Sequence, residues 1–394
     1  MDSKRSTGSL DQQPLHVTSP ESHRFLLLDA LRGIASLFIV SFHFPSAMTA
    51  SIAANGPLAV DFFFCLSGFI IAFSYENRLA KGLSFKDFTV TRMIRLYPIY
   101  ALGSLVGMLV SGLMRHFVFH YASWPALSSL LALAIFLWPT RLSPFYDSQN
   151  YPLNPPAWSL FCQLAANFAY ALLIKLRIAR TAALLCIVAG SLALLVNAEV
   201  LGGRLDAGGR HADFSLGLAR VTFSFFLGVL ICRLYRDRPR RVDIPWIEPL
   251  IPAVIPLLLI AILNSPLAWM RTESFRLLAI TLCFPAMVYY GALARLPHST
   301  MRFATTLGKL SYPLYLLHIP FVWLVRAHRL MQFTATHPAI AHLAALCMVA
   351  ILAFLSWRVG ERVDLPLRRA LTRRYNAYKL AKQTPIPTAQ HDDA

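Results

Sequence analysis

Charged residues are scarce in this chain, at 14% of 394 residues, whereas hydrophobic residues make up 56%. A typical soluble domain carries about 25% charged residues, so an ordinary water-soluble globular protein is excluded. The hydrophobic residues form eleven successive runs, most of them near the roughly 20 residues that a membrane-spanning helix needs. The sequence therefore predicts an all-α, polytopic membrane bundle. The runs cover residues 25–44, 57–76, 95–114, 126–139, 156–175, 182–199, 215–235, 249–265, 274–294, 309–326 and 338–358.

Cysteine is also scarce, with six residues and no Cys-x-x-Cys pair. That spacing indicates neither a disulfide framework nor a zinc site. The Walker, dinucleotide-binding, Gly-x-Ser-x-Gly and His-Glu-x-x-His patterns are missing as well, so the sequence offers no phosphate-binding loop, nucleophile elbow or metalloprotease site. We therefore predict no metal site and no bound cofactor.

Acidic residues are few, with 19 Asp and Glu against 37 Lys and Arg and a formal net charge of +18. Such an excess can indicate a nucleic-acid partner, but the basic residues here gather in short loops between the apolar runs. This is the pattern of the positive-inside rule, so we predict no nucleic-acid partner and assign these loops to the cytoplasm. The five basic segments are Arg78, Lys81, Lys86, Arg92 and Arg95; Lys175, Arg177 and Arg180; Arg233, Arg236, Arg238, Arg240 and Arg241; Arg295, Arg302 and Lys309; and Arg368, Arg369, Arg373 and Arg374.

The basic loops limit the number of membrane crossings, because an even number must separate two cytoplasmic loops. Three runs lie between the first two loops, so one of them does not cross. Residues 126–139 are the shortest run and are bounded by Pro125 and Pro139, which favours a re-entrant or interfacial segment. The sequence thus predicts ten crossings with both termini in the cytoplasm. Residues 1–24 are predicted to be a disordered tail, and residues 371–394 a second polar tail.

The first apolar run contains four polar residues on one face of a helix. Arg32 and His43 are eleven residues apart, so their side chains point in nearly the same direction, about 16 Å apart along the axis. Asp29 and Ser36 fall within about 60° of that line. Ionisable groups in hydrocarbon are costly and usually face a protein interior or a watery cavity. These four side chains form a polar stripe along the helix. The stripe favours a functional site over the alternative, which is a charge at the end of the helix together with a histidine packed in the core.

Five motifs together point to one family. They are LDALRGIASLFIVSFHF, in which ten residues separate Arg32 from His43; VDFFFCLSGFIIAF; RMIRLYPIY, with Arg92 and Arg95; NPPAWSLFCQLAAN; and LSYPLYLLHIPF. This combination resembles the membrane acyltransferase-3 family over residues 25–370. The resemblance implies a ten-helix O-acyltransferase that acts on sugars and other acceptors, with an acyl-CoA donor, most often acetyl-CoA, approached from the cytoplasm.

The resemblance also implies roles for the polar residues. Arg92 and Arg95, one helical turn apart, could clamp donor phosphates through bidentate hydrogen bonds, or could be ordinary inside-positive charges. His43 is expected to act as general base on the acceptor hydroxyl or to carry the acyl group itself. Arg32 is expected to bind the donor or to stabilise developing negative charge, with Asp29 as its ion-pair partner.

Further candidate residues lie in three other runs. Asp61 could face substrate or sit at the edge of a packing seam, and Trp158 could stack on a sugar or anchor the chain at the interface. Tyr315 and His318 share a helix face, where His318 either assists catalysis or bonds within the bundle. Gln163 stands where the family usually has glutamate and can only exchange hydrogen bonds. Either that position merely orients substrate, or this protein has altered specificity or reduced activity.

These observations predict an integral-membrane O-acyltransferase of the bacterial inner membrane. It would transfer an acyl group, first of all acetyl, from acyl-CoA to a hydroxyl of a carbohydrate-containing acceptor. Its partners would be the lipid bilayer, acyl-CoA and a glycan or glycolipid. The rival interpretations are a polytopic transporter or flippase, in which buried charges are equally expected, and a family member with impaired catalysis. The sequence identifies neither the acceptor nor the oligomeric state.

Overall fold

The computed structural model describes residues 25–44, 52–117, 124–140, 149–237, 250–264, 267–325 and 337–383; the predicted N-terminal tail and residues 384–394 lie outside them. Each of the eleven apolar runs forms a helix, so the predicted all-α membrane bundle is confirmed. The helices are α1 (Leu26–His43), α2 (Leu58–Ala80), α3 (Phe85–Phe117), α4 (Trp124–Ile135), α5 (Ala157–Lys175), α6 (Thr181–Val200), α7 (Phe214–Asp237), α8 (Ile251–Asn264), α9 (Glu273–Leu293, with a π-helical turn at Ala279–Cys283), α10 (His298–Val325) and α11 (Pro338–Val359), which continues through a π-helical turn (Gly360–Asp364) into α12 (Leu365–Gln383).

Most of these helices have the length of a membrane span. Among the described residues, eight helices are long and apolar enough to cross a bilayer. Helices α4 and α8 are shorter, with 12 and 14 residues, and α10 has 28 residues but a polar first half. The expected number of ten crossings stays a prediction.

Helix α4, which contains most of the shortest apolar run, folds back along α3. Its first residue, Trp124, packs against Gly112 near the end of α3. Its last residue, Ile135, offers its carbonyl oxygen to the Tyr97 hydroxyl at 2.8 Å, about four turns earlier on α3. Leu137, in the left-handed region with φ 53°, then ends the segment. Since 12 residues rise only about 18 Å, this geometry agrees with the prediction that the shortest run does not cross.

The predicted cytoplasmic segments meet at one end of the bundle. Glu76, beside the first basic segment, accepts hydrogen bonds from Arg233 of the third, and Arg233 also donates to the carbonyl oxygen of Ala179 in the second. Residues of the first, fourth and fifth segments line a common cavity at this end, namely Arg78, Arg92, Arg95, Lys309 and Arg368. The residues named here, from the described parts of all five segments, therefore share one side of the bundle, and its identity as the cytoplasmic side stays a prediction.

The predicted C-terminal tail needs a correction, because residues 371–383 continue α12. The side chains of Tyr375 and Lys379 reach the start of α3, where they bond to Asp87 at 2.7 and 3.0 Å. These contacts hold the polar helix against the bundle, and its polar composition alone did not indicate them.

Glycines allow the closest helix contacts. A Cβ atom on Gly68 of α2 would overlap the carbonyl oxygen of Phe225, and one on Gly228 of α7 would overlap that of Cys65. The backbones of α2 and α7 therefore touch without intervening side chains, as is common where membrane helices pack through small residues. This crossing fixes α2, which forms one wall of the site described below.

Replacing Gly228 by Ala is expected to destabilise the protein by about 1–3 kcal/mol, because a backbone oxygen cannot move aside as a side chain can. Thermal unfolding of the detergent-solubilised protein measures this loss. Gly190→Ala in α6 is the matched control, since nothing lies within 4 Å of a Cβ atom there. Alanine is the better helix former, so that control should be neutral or slightly stabilising. Equal behaviour of the two variants would contradict the proposed close contact.

Candidate active site

Arg32 of α1 binds both its own helix and α10. Its Nη2 atom donates to Asp29 Oδ1 at 3.0 Å and to the carbonyl oxygen of Gly308 at 2.9 Å, and its Nε atom donates to Ser311 Oγ at 2.9 Å. The predicted ion pair between Asp29 and Arg32 is therefore present. Glycine makes this approach possible, since a Cβ atom on Gly308 would lie 2.7 Å from that of Asp29. The guanidinium is held rigidly at the α1–α10 contact.

His43, at the other end of the polar stripe, meets His318 of α10. His43 Nδ1 lies 3.3 Å from His318 Nε2 and 2.7 Å from the carbonyl oxygen of Ile39. His318 is fully buried, and its Nδ1 atom lies 2.8 Å from the carbonyl oxygen of Tyr315. The two predicted histidines, which are 275 residues apart in the chain, thus form a pair.

The backbone contacts assign the proton positions of this pair. A carbonyl oxygen only accepts hydrogen bonds, so the neutral His318 ring carries its proton on Nδ1 and presents Nε2 as an acceptor. His43 Nδ1 faces two acceptors, the Ile39 carbonyl oxygen and His318 Nε2, and therefore carries a proton too. The basic nitrogen of a neutral His43 is then Nε2, as a general base on a hydroxyl requires.

A cavity of about 630 Å³ opens beside Arg32. This volume is within the usual range for small-molecule and cofactor sites. Helix α2 lines it from Val60 to Arg78, a distance of about 27 Å. Six of the predicted site residues line the cavity, namely Asp29, Arg32, Arg92, Arg95, Gln163 and Tyr315, and four do not, namely His43, Asp61, Trp158 and His318.

Arg92 and Arg95 reach the cavity from one turn of α3. Arg92 is buried, with 6% of its surface exposed, and its Nε–H group has no hydrogen-bond acceptor among the described residues. The Tyr312 hydroxyl donates to the carbonyl oxygen of Leu96 and so fixes α10 against this turn. A buried guanidinium donor without an acceptor is costly.

The far end of the cavity is lined by neutral polar groups. Gln163 Nε2 donates to Ser67 Oγ at 2.8 Å, so the glutamine at the family's glutamate position has a partner on α2. The hydroxyls of Ser159 and Tyr315 lie 2.7 Å apart. The Tyr315 ring is also 6.1 Å from the His318 ring. Tyr315 therefore connects the cavity to the histidine pair.

Asp61 binds Arg220, a residue that the sequence analysis did not select. The Arg220 guanidinium donates to both Asp61 oxygens, at 3.1 and 2.6 Å, and both side chains are only 2% exposed. Arg220 also donates to the carbonyl oxygen of Ala207 at 2.5 Å. Arg220 lies inside the apolar run 215–235, and because a charge in hydrocarbon is costly, its position is a signal of the same kind as that of Arg32. Substrate contact by Asp61 stays a prediction, with both oxygens already occupied.

The ring of Trp158 packs against the loop that joins α6 to α7. A Cβ atom on Gly208 would lie 2.6 Å from the ring, and the Arg220 guanidinium lies 5.6 Å from its centre. These contacts fit a structural role in holding the loop. Stacking of Trp158 on a sugar stays a prediction.

The same loop carries a charge cluster outside the candidate spans. Asp206 pairs with Arg204 at 2.7 Å and with Arg276 of α9 at 3.3 Å. Burial raises the pKa of Asp206, but the hydrogen bond from Arg204 and the charge of Arg276 outweigh it, so the pKa lies below its usual range. Asp206 is thus ionised at neutral pH and ties the loop to α9. Within the described residues, no cluster of three or more His, Cys, Asp or Glu could hold a metal ion.

Comparison with known proteins agrees with this architecture. The family model described as "Acyltransferase domain", of the acyltransferase-3 type, matches residues 25–358. "Protein 2 in picA locus" of Rhizobium radiobacter is 36% identical over 159 residues, which are 38% of this chain and 81% of that protein. "Putative peptidoglycan O-acetyltransferase YrhL" of Bacillus subtilis (strain 168) is 26% identical over 224 residues, which are 55% of this chain but only 34% of that protein. No solved structure matches.

Proposed function

Because this chain belongs to the acyltransferase-3 family, we propose that it transfers an acetyl group from acetyl-CoA to a hydroxyl of a carbohydrate-containing acceptor at the bacterial inner membrane. The observation that carries the proposal is the arrangement of one helix, α1. Its Arg32 faces a large cavity with many cations, and its His43 lies about three turns further along, paired with a buried histidine. The residue proposed to bind the donor and the residue proposed to remove the proton thus lie at two separate positions on the same helix.

The chemistry of the cavity fits an acyl-CoA donor. Arg92 and Arg95 present guanidinium groups that form strong bidentate hydrogen bonds with phosphates. The neutral far end, with Ser67, Ser159 and Gln163, suits a short polar acyl group such as acetyl better than a long alkyl chain, because buried polar groups need hydrogen bonds. The donor would therefore lie with its phosphates at the basic end and its thioester near Tyr315.

The proposed step begins with the acceptor hydroxyl giving its proton to His43 Nε2. The hydroxyl oxygen attacks the thioester carbonyl carbon, the carbon–sulfur bond breaks, and the CoA sulfur leaves with the proton from His43. Arg32, about 16 Å from His43 along α1, would bind the donor away from the reacting carbonyl group. A two-step route, in which His43 first carries the acetyl group, uses the same residues. In both routes Tyr315 has to move or to contact the thioester, since it connects the cavity with the histidine pair.

The acceptor class rests on the relatives. The Bacillus subtilis relative is named for the O-acetylation of peptidoglycan, a carbohydrate polymer. This chain spans only about a third of that protein's length, so its acceptor need not be the same polymer. A carbohydrate-containing acceptor outside the cytoplasm is the class that we propose.

The experiment measures transfer of radiolabel from acetyl-CoA that carries ¹⁴C in its acetyl group, in membranes with and without the protein. We expect label on extracellular or lipid-linked glycan only when the protein is present. Binding of CoA to the purified protein is measured in parallel by thermal shift, because a ligand that binds the folded state stabilises it. Absence of both label and CoA binding would contradict the proposal and favour a transporter.

Exchange of Gln163 for Glu is expected to keep transfer activity within about threefold, because the Ser67 hydroxyl can turn and donate to a carboxylate as readily as it accepts from an amide. Gln163→Leu removes the hydrogen bond and should reduce thermal stability by about 1–3 kcal/mol. Initial transfer rates and unfolding midpoints measure the two effects. A large gain of activity in Gln163→Glu would instead mean that glutamine impairs catalysis in this protein.

A further inference from the structure

The wall of the cavity that lies beyond the matched family segment contains an arginine with no assigned role. Residues Gly360, Glu361, Asp364, Leu365 and Arg368, at the π-helical turn between α11 and α12 and just after it, line the cavity. A π-helical turn changes the direction in which side chains leave a helix, and such turns are frequent at functional sites. Asp364 and Arg368, in this turn and one turn after it, line the same cavity as Arg92 and Arg95.

Arg368 has an ion-pair partner, but one of its hydrogen-bond donors has no acceptor among the described residues. It contacts Asp364, four residues earlier, whose side chain is only 2% exposed, while the Arg368 side chain is 25% exposed. The Nε–H group of Arg368 is buried and has no acceptor among the described residues, the same condition as the Nε–H group of Arg92. Two buried guanidinium donors that line one cavity therefore lack acceptors, and leaving such donors unpaired is costly.

The net charge of the cavity lining also favours an anionic ligand. Among the described residues, the lining contains six cations, Arg32, Arg78, Arg92, Arg95, Lys309 and Arg368, and three carboxylates, Asp29, Glu361 and Asp364. Each carboxylate is already paired with one cation, since Asp29 bonds to Arg32, Glu361 bonds to Lys309 at 2.8 Å, and Asp364 contacts Arg368. The remaining positive charge matches a ligand with more than one phosphate group.

We propose that Arg368 is a further phosphate-binding residue of the donor cavity, acting beside Arg92 and Arg95. This inference rests on the proposed function, since it assigns Arg368 to the polyphosphate part of the same CoA donor. Arg368 approaches from α12, whereas the other two approach from α3, so phosphate oxygens would bridge the two helices. The C-terminal helix is then part of the donor site.

The test compares Arg368→Gln with Arg369→Gln in the purified full-length protein. The two variants remove the same charge from adjacent positions, but Arg369 is exposed and does not line the cavity. Binding is measured by calorimetry with two probes, CoA and pantetheine, which lacks every phosphate. We expect CoA to bind Arg368→Gln about 10- to 100-fold more weakly than the wild type, the range expected for loss of a hydrogen bond to a charged group. Pantetheine binding, and both ligands on Arg369→Gln, should be unchanged.

A second variant separates binding from folding. If Arg368→Gln leaves Asp364 as an unpaired buried charge and fails to fold, the double variant Asp364→Asn with Arg368→Gln removes both charges, and its CoA affinity should fall by a similar factor. Equal CoA affinity in Arg368→Gln and Arg369→Gln would overturn the inference, as would equal weakening of CoA and pantetheine. If the wild type binds no CoA at all, the proposed function itself fails; if the wild type binds CoA, only the role of Arg368 is at stake.

Discussion

Transfer activity is expected to fall by about 10²–10⁴-fold when His43 is replaced by Ala, the range attributed to a positioned general base. Initial rates of transfer from labelled acetyl-CoA measure this loss. CoA affinity should remain near the wild-type value, because His43 does not line the cavity. His298→Ala is the matched control, since His298 is exposed at the start of α10. A His43→Ala variant that keeps full activity, while folding and inserting normally, would exclude His43 as the base.

His318 is expected to act through His43. Its contact with His43 Nδ1 orients the ring and favours the tautomer with a basic Nε2 atom. Loss of such an orienting partner typically lowers activity by about 10- to 100-fold, and we expect His318→Gln to fall in that range. The double variant His43→Ala with His318→Gln should be no worse than His43→Ala alone, since the two residues act as a unit.

Much of the fold followed from hydrophobic periodicity and charge. The eleven apolar runs became eleven helices because each run is long enough to form one whatever its neighbours do. Loop charge indicated that one of three runs does not cross, and its length and flanking prolines selected residues 126–139; its helix packs back along α3, and its failure to cross stays a prediction. The C-terminal tail was predicted wrongly over residues 371–383, because a polar helix held by contacts with Asp87 carries no hydrophobic pattern.

The candidate site was predictable where a single helix carries it. Asp29, Arg32 and His43 share a face of α1, and their spacing was enough to group them. The contact of His43 with His318 depends on how α1 packs against α10, which no local pattern encodes. The cavity is lined by residues of seven helices, so the place of Arg368 in its wall could not be seen in the sequence. The sequence was enough to group residues that share one helix, whereas contacts between residues of different helices depend on how the helices pack.

The second large effect concerns the buried pair of Asp61 and Arg220. Asp61→Leu is expected to destabilise the protein by about 3–5 kcal/mol, because it leaves the Arg220 guanidinium buried without its carboxylate. Arg220→Met should cause a similar loss for the converse reason. The double variant should recover much of the stability, since replacing both charges with apolar groups removes the unpaired charge. Part of the loss will persist, because the carbonyl oxygen of Ala207 also loses its donor. Unfolding midpoints of the four proteins measure the coupling.

The pair of Arg204 and Asp206, in which only the arginine is exposed and Asp206 keeps Arg276 as a second partner, provides the control for this cycle. It has the same residue types, and its 2.7 Å contact is close to the 2.6 Å contact of the buried pair, but the Arg204 side chain is 75% exposed. Arg204→Met should therefore change stability by less than about 1 kcal/mol.

The transfer activity of the double variant of Asp61 and Arg220 then tests whether the pair has a role beyond stability. Retained activity in a folded double variant means that the pair holds the bundle together, whereas lost activity with restored stability means that at least one of the two side chains takes part in the reaction.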